Sequence, residues 1–72
     1  MSSDRVGSQV REVRRDHRLT QAELAALVGV SRQTIVSIEG GDYAPSVLLA
    51  MRLAMALGSR VEALFFIVTE ES

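Results

Sequence analysis

Residues 21–41 read QAELAALVGVSRQTIVSIEGG, and no other part of the chain constrains the fold as strongly. Leu24 and Val28 recur at i, i+4, and Ile35 and Ile38 at i, i+3. That spacing gives each of two short helices one apolar face. Gly29 falls between them, where the chain must reverse through a positive φ that glycine adopts at little cost. Ala25 is small where the second helix would cross close above the first, and Val30 plugs the turn. Arg32, Gln33, Val36 and Ser37 are left on the outward side of the second helix. Residues 21–39 are therefore expected to form two helices locked at an angle by one tight turn.

Local signals delimit the rest. Residues 7–17 read as a first helix with Val6, Val10 and Val13 inward, after a loose polar N-terminus at 1–6. Thr20 and Glu23 form a capping box ahead of the second helix, and Ser31 caps the third, which ends at Gly40 and Gly41. Ser46 opens a fourth helix running to Leu57, with Leu49, Leu53, Leu57, Ala50 and Ala54 toward the core. Ser59 and Glu62 suggest a second capping box and a short fifth helix. The run Leu64-Phe65-Phe66-Ile67-Val68-Thr69 is aromatic and β-branched, which favours a strand or extended arm over residues 64–72.

The string TQAELAALVGVSRQTIVSIEGG resembles the DNA-binding domain of the phage repressor and Cro class, the xenobiotic-response-element family. Flanking residues add to it: Val13-Arg14, Leu19-Thr20-Gln21, Tyr43-Ala44-Pro45-Ser46 and Ala54-Met55-Ala56-Leu57-Gly58 are similar to other parts of that family's domain. The resemblance runs over roughly residues 6–65 and implies a helix-turn-helix. The expected fold is all-α: one five-helix lambda-repressor-like domain over residues 1–72 with a short C-terminal strand or arm.

Composition agrees with a small binding module. Seventy-two residues bury only about 60% of their unfolded surface, so stability is marginal unless something adds to the core. With no cysteine and one histidine, neither a disulfide nor a metal site is expected, and no cofactor or small-molecule ligand is evident. No apolar run approaches the roughly 20 residues that span a bilayer, and no leader pattern is seen, so a cytoplasmic location without membrane contact is expected. No arrangement of catalytic side chains is recognisable, His17 included, so no enzymatic activity is expected. The net charge is −1, but residues 1–36 carry six Arg against four carboxylates, while residues 37–72 carry two against five. The positive charge thus lies with the motif.

For the outward residues of the third helix, chemistry alone leaves two readings open: an ordinary solvated face, or a face that reads bases. Arg can bond guanine O6 and N7, Gln adenine N6 and N7, Ser either, and valine methyls can touch a thymine methyl. The resemblance assigns base contacts to Ser31, Arg32, Gln33, Val36 and Ser37. It also implies a phosphate contact at Gln21, and the free N–H groups and positive dipole end of the helix that Thr20 and Gln21 open favour phosphate at both. Arg11, Arg15, Arg18 and Tyr43 are further phosphate candidates, while Asp42 in the same loop would repel phosphate. The resemblance further implies a structural ion pair between Arg14 and Glu39.

Leu48, Met51 and Met55 fall at i, i+3, i+7, a second apolar stripe on the fourth helix. With Phe66, Ile67 and Val68 they make a candidate homodimer interface. The expected function is a double-stranded DNA-binding transcriptional regulator, a repressor acting as a homodimer on an inverted repeat. Two alternatives fit the residues: an antitoxin whose apolar C-terminal surface holds a toxin, and a protein-interaction module of the same fold without DNA binding.

Overall fold

The computed structural model describes residues 2–71. Met1 and Ser72, the outermost residues of the expected loose N-terminus and of the expected arm, lie outside them. In chain order the elements are β1 (Ser2–Ser8), α1 (Val10–Asp16), α2 (Gln21–Val28), α3 (Arg32–Glu39), α4 (Val47–Ala56), α5 (Val61–Leu64) and β2 (Phe65–Glu71). The five expected helices are present, but the fold is not purely all-α. β1 and β2 form a two-stranded antiparallel sheet, paired from Ser2↔Glu71 to Ser8↔Phe65.

The helices begin and end where local chemistry directs. The Thr20 hydroxyl accepts from Glu23 N at 3.0 Å while the Glu23 carboxylate accepts from Thr20 N at 2.8 Å, closing the capping box of α2. Ser31 and Ser46 each accept from the backbone N–H three residues on, Thr34 and Leu49. Gly29 ends α2 at φ 76°, and Gly41 takes φ 79° after α3. Arg18 ends the turn after α1 at φ 56°, a left-handed conformation usually left to glycine. The core draws on every helix: Val10, Leu24, Ile35, Ile38, Leu53, Leu57 and Leu64 are almost wholly buried. Each such aliphatic side chain contributes about 1.5–3 kcal/mol on burial.

Three sequence expectations are corrected. Residues 1–6 were expected to be loose and helix 1 to start at Gly7; instead residues 2–8 are β1 and α1 starts at Val10. The strand exists because β2 lies beside it, a pairing between the two ends of the chain that no local pattern announces. The Ser59–Glu62 capping box does not form, and Arg60 is the N-cap of α5 without a side-chain cap bond. Ser59 is still tied to the preceding helix, its N–H donating to Ala54 O at 2.8 Å. Finally, of the strand and arm alternatives for residues 64–72 the segment takes the strand, but it starts one residue later, at Phe65, because Leu64 ends α5, and it is paired within its own chain.

The sheet has two unlike faces. Val6 stands opposite Ile67, and Asp4 opposite Thr69, whose hydroxyl donates to Asp4 Oδ1 at 3.0 Å. On the other face the Phe66 ring lies across Gly7, so close that a Cβ there would overlap it. Cross-strand alternation thus separates Ile67 from Phe66 and Val68.

Candidate nucleic-acid interface

α3 is seated by Ile35 and Ile38, both buried against the core that α2 shares. This leaves Arg32 and Gln33 exposed, with Val36 and Ser37 half-buried beside them. Gln33 and Ser37 line a shallow concavity of about 390 Å³ with Ser31, Thr34, Asp42 and Tyr43. The Ser31 hydroxyl is engaged locally, capping Thr34 N at 3.2 Å and bonded to the Thr34 hydroxyl at 3.0 Å. Thr34 itself was missed in the sequence, because its half-buried position depends on how far α3 rolls over α2. Tyr43 is exposed, and Asp42 brings a carboxylate to the same rim.

Behind α3 lies a polar node centred on Glu39, whose side chain has no exposed surface. Arg14 Nε donates to Glu39 Oε2 at 2.6 Å and a second guanidinium nitrogen to Oε1 at 3.2 Å, a bidentate pair. Arg14 also donates to Leu19 O at 2.7 Å. Gln21 Nε2 donates to Glu39 Oε1 at 3.1 Å, and Arg11 Nε lies 3.7 Å from the same oxygen. Burial alone would push the Glu39 carboxyl up. The hydrogen bonds from Arg14 and Gln21, with the charges of Arg14 and Arg11, outweigh it and hold the group below the ordinary carboxylate value. Among the described residues no buried side-chain polar atom is without a hydrogen bond. The node ties α1, the start of α2 and the end of α3 together.

The same contacts set the surroundings of the residues expected to meet phosphate. The Gln21 amide is turned to Glu39, and Arg11 leans the same way while half-exposed. The Thr20 hydroxyl is taken by its cap. Glu23, exposed, is held below its usual range by the backbone and hydroxyl bonds to Thr20, and its carboxylate sits over the N-terminus of α2. Arg15 and Arg18 remain outward on α1 and the turn after it.

On α4, Leu48, Met51 and Met55 are exposed, by 60%, 53% and 81%. Two further residues extend that surface: Val47, 76% exposed, at i−4 from Met51, and Leu27 on α2, which lines a hollow with Met55 and Arg52. The i, i+4, i+8 series of Val47, Met51 and Met55 was legible in the sequence. Of the three strand residues assigned with the stripe, Ile67 is 74% exposed and opposite Val6. Phe66 and Val68 instead face Gly40, Gly41 and Glu39 across a small hollow and do not share that side. No helix among the described residues is long and apolar enough to cross a membrane.

Two helices joined at Gly29, with a polar outward face on the second and a buried clamp behind it, define a helix-turn-helix module. A family model described as helix-turn-helix matches residues 10–64. The chain is 50% identical over 62 residues to an uncharacterised HTH-type transcriptional regulator of Methanothermobacter thermautotrophicus, covering 86% of this chain and 90% of that one. It is 37% identical over 67 residues to the immunity repressor protein of Bacillus phage phi105, covering 93% of this chain and 44% of the repressor. The solved structure of the restriction-modification controller protein C.AhdI from Aeromonas hydrophila matches with a TM-score of 0.68 and 33% identity, over 72% of this chain and 79% of that one. The chain belongs to the helix-turn-helix transcriptional regulators of the phage repressor and Cro type.

Proposed function

We propose that the protein is a sequence-specific repressor that binds an inverted-repeat operator as a homodimer, with α3 in the major groove. The observation that carries this reading is the outward face of α3, where Arg32 and Gln33 project from a helix held rigidly behind by the Glu39 node. Arg32 would read guanine, Gln33 adenine, with Val36 and Ser37 adjusting to neighbouring pairs. Ser31 would contribute less, since its hydroxyl is already bonded.

Arg15 and Arg18 would meet phosphates on one flank, with Arg11 in part, and the Tyr43 loop on the other. The capping box takes the N–H groups of Thr20 and Glu23, but those of Gln21 and Ala22 lack intrahelical partners and can serve a phosphate oxygen at the head of α2. Phosphate contacts set register and affinity, and base contacts set sequence. Repression then needs no chemistry: occupancy of the groove excludes polymerase.

Dimerisation supplies what one short helix cannot. One copy reads a few base pairs; two copies related by a two-fold axis read two half-sites at fixed spacing. The exposed apolar surface of α4 supports this part of the reading. Selection of bound fragments from random DNA, followed by footprinting, tests the whole. The expected result is an inverted repeat with half-sites about 34–36 Å apart, one helical turn. Recovery of unrelated sequences with no shared motif would contradict it.

A further inference from the structure

A groove of about 200 Å³ opens between the sheet and the start of α4. Its lining is Val6, Pro45, Val47, Ala50, Val61 and Phe65, with no charged residue among them. A closed cavity of about 150 Å³ accepts a benzene ring, so this space suits one branched aliphatic side chain. At its rim stands Ile67, opposite Val6 and 74% exposed. The groove continues into the α4 line of Val47, Met51 and Met55, and beyond Met55 into the hollow at Leu27. One apolar band thus runs from the sheet to the end of α2.

We propose that the occupant of this groove is Ile67 of a second copy of the chain, inserted reciprocally, so that sheet face and α4 stripe form one interface. The inference rests on the homodimer reading above and specifies how it is built. Three observations select a second copy. An isologous interface must be self-complementary, and here an apolar groove and an exposed aliphatic side chain of fitting size sit side by side on the same surface. A standard interface takes about 800 Å² from each partner, about one-sixth of this chain's 4841 Å², and monomers rarely leave contiguous apolar patches beyond about 300–600 Å² exposed. A two-stranded sheet is marginal by itself, and covering its Val6–Ile67 face with a partner removes that weakness. The near-neutral net charge of −1 puts little repulsion in the way.

Phe66 and Val68 are excluded from this interface because they lie on the opposite sheet face. This departs from the contiguous Phe66–Val68 segment expected from sequence.

The chain contains no cysteine, so single-cysteine variants report contacts between copies without background. Ile67→Cys and Val47→Cys proteins are mixed, oxidised and resolved by mass, while wild type and Ile67→Asp are compared by sedimentation equilibrium. The expected result is a wild-type dimer, a mixed disulfide in excess of random pairing, and a dissociation constant for Ile67→Asp raised about tenfold or more. Because Ile67 is largely exposed in the single chain, the folded monomer should keep its helical circular dichroism. A wild-type dimer with random cross-linking and an unaffected Ile67→Asp variant would overturn the groove assignment and leave the dimer standing. A wild type that stays monomeric at tens of micromolar would overturn both, and would assign the band to a different chain.

Discussion

Glu39 is the residue on which the placement of α3 turns. Its carboxylate is fully buried and satisfied by Arg14 and Gln21, so removing either charged partner strands the other. Arg14→Ala or Glu39→Ala should each cost about 3–5 kcal/mol in denaturant unfolding, and a double-mutant cycle should show strong coupling. Additive losses would mean two independent charges. The same residue predicts a pH dependence. The folded-state carboxyl lies below its ordinary 4.5, so the unfolded chain binds more protons. The contribution is therefore complete above that value and is lost as the pH falls through the lower, folded one. Unfolding between neutral pH and about pH 3 should show this loss in wild type and less of it in Glu39→Gln. The Arg14–Glu39 pair spans 25 positions and was legible only by resemblance, not from periodicity. The bond of Gln21 was not legible even so: the resemblance and its place at the head of α2 suggested phosphate, and nothing local announced that its amide also reaches the end of α3. That neighbour is set by tertiary packing and leaves no local trace.

Caps and apolar periodicity made α2, α3 and α4 readable to within a residue at their starts, because Thr20, Ser31 and Ser46 bond their own first turns; α1 has no such cap and starts three residues later than expected. The fifth starts one residue later than its Ser59 signal suggested, with Arg60 as an N-cap that makes no side-chain bond. β2 was visible through its β-branched run. β1 was not, since SSDRVGS carries one β-branched residue and owes its conformation to β2. The two strands are also joined to the helical body, Gln9 N donating to Leu64 O at 2.8 Å. Their fit has a specific test in Gly7, over which the Phe66 ring lies. Gly7→Ala should displace that ring and cost about 1–3 kcal/mol. In the Phe66→Ala background the same substitution should cost much less, by thermal melts of the four proteins. Equal costs in both backgrounds would show that the ring does not pack on Gly7 in solution.

Across the whole molecule, stability and operator binding should fail together. Met55→Asp, on the apolar band, should dissociate the dimer, lower the melting temperature and abolish cooperative binding to the paired half-sites. Unchanged cooperativity would remove α4 from the interface. The central claim, that α3 reads base edges, has a more direct test: the ratio of affinities for the selected operator and for random DNA at fixed salt. Arg32→Ala and Gln33→Ala, both at exposed positions, should each cost about 1–3 kcal/mol on the operator and little on random DNA, collapsing the ratio. An equal loss on both DNAs, with the ratio intact, would contradict the account, because these side chains would then contribute affinity without reading sequence.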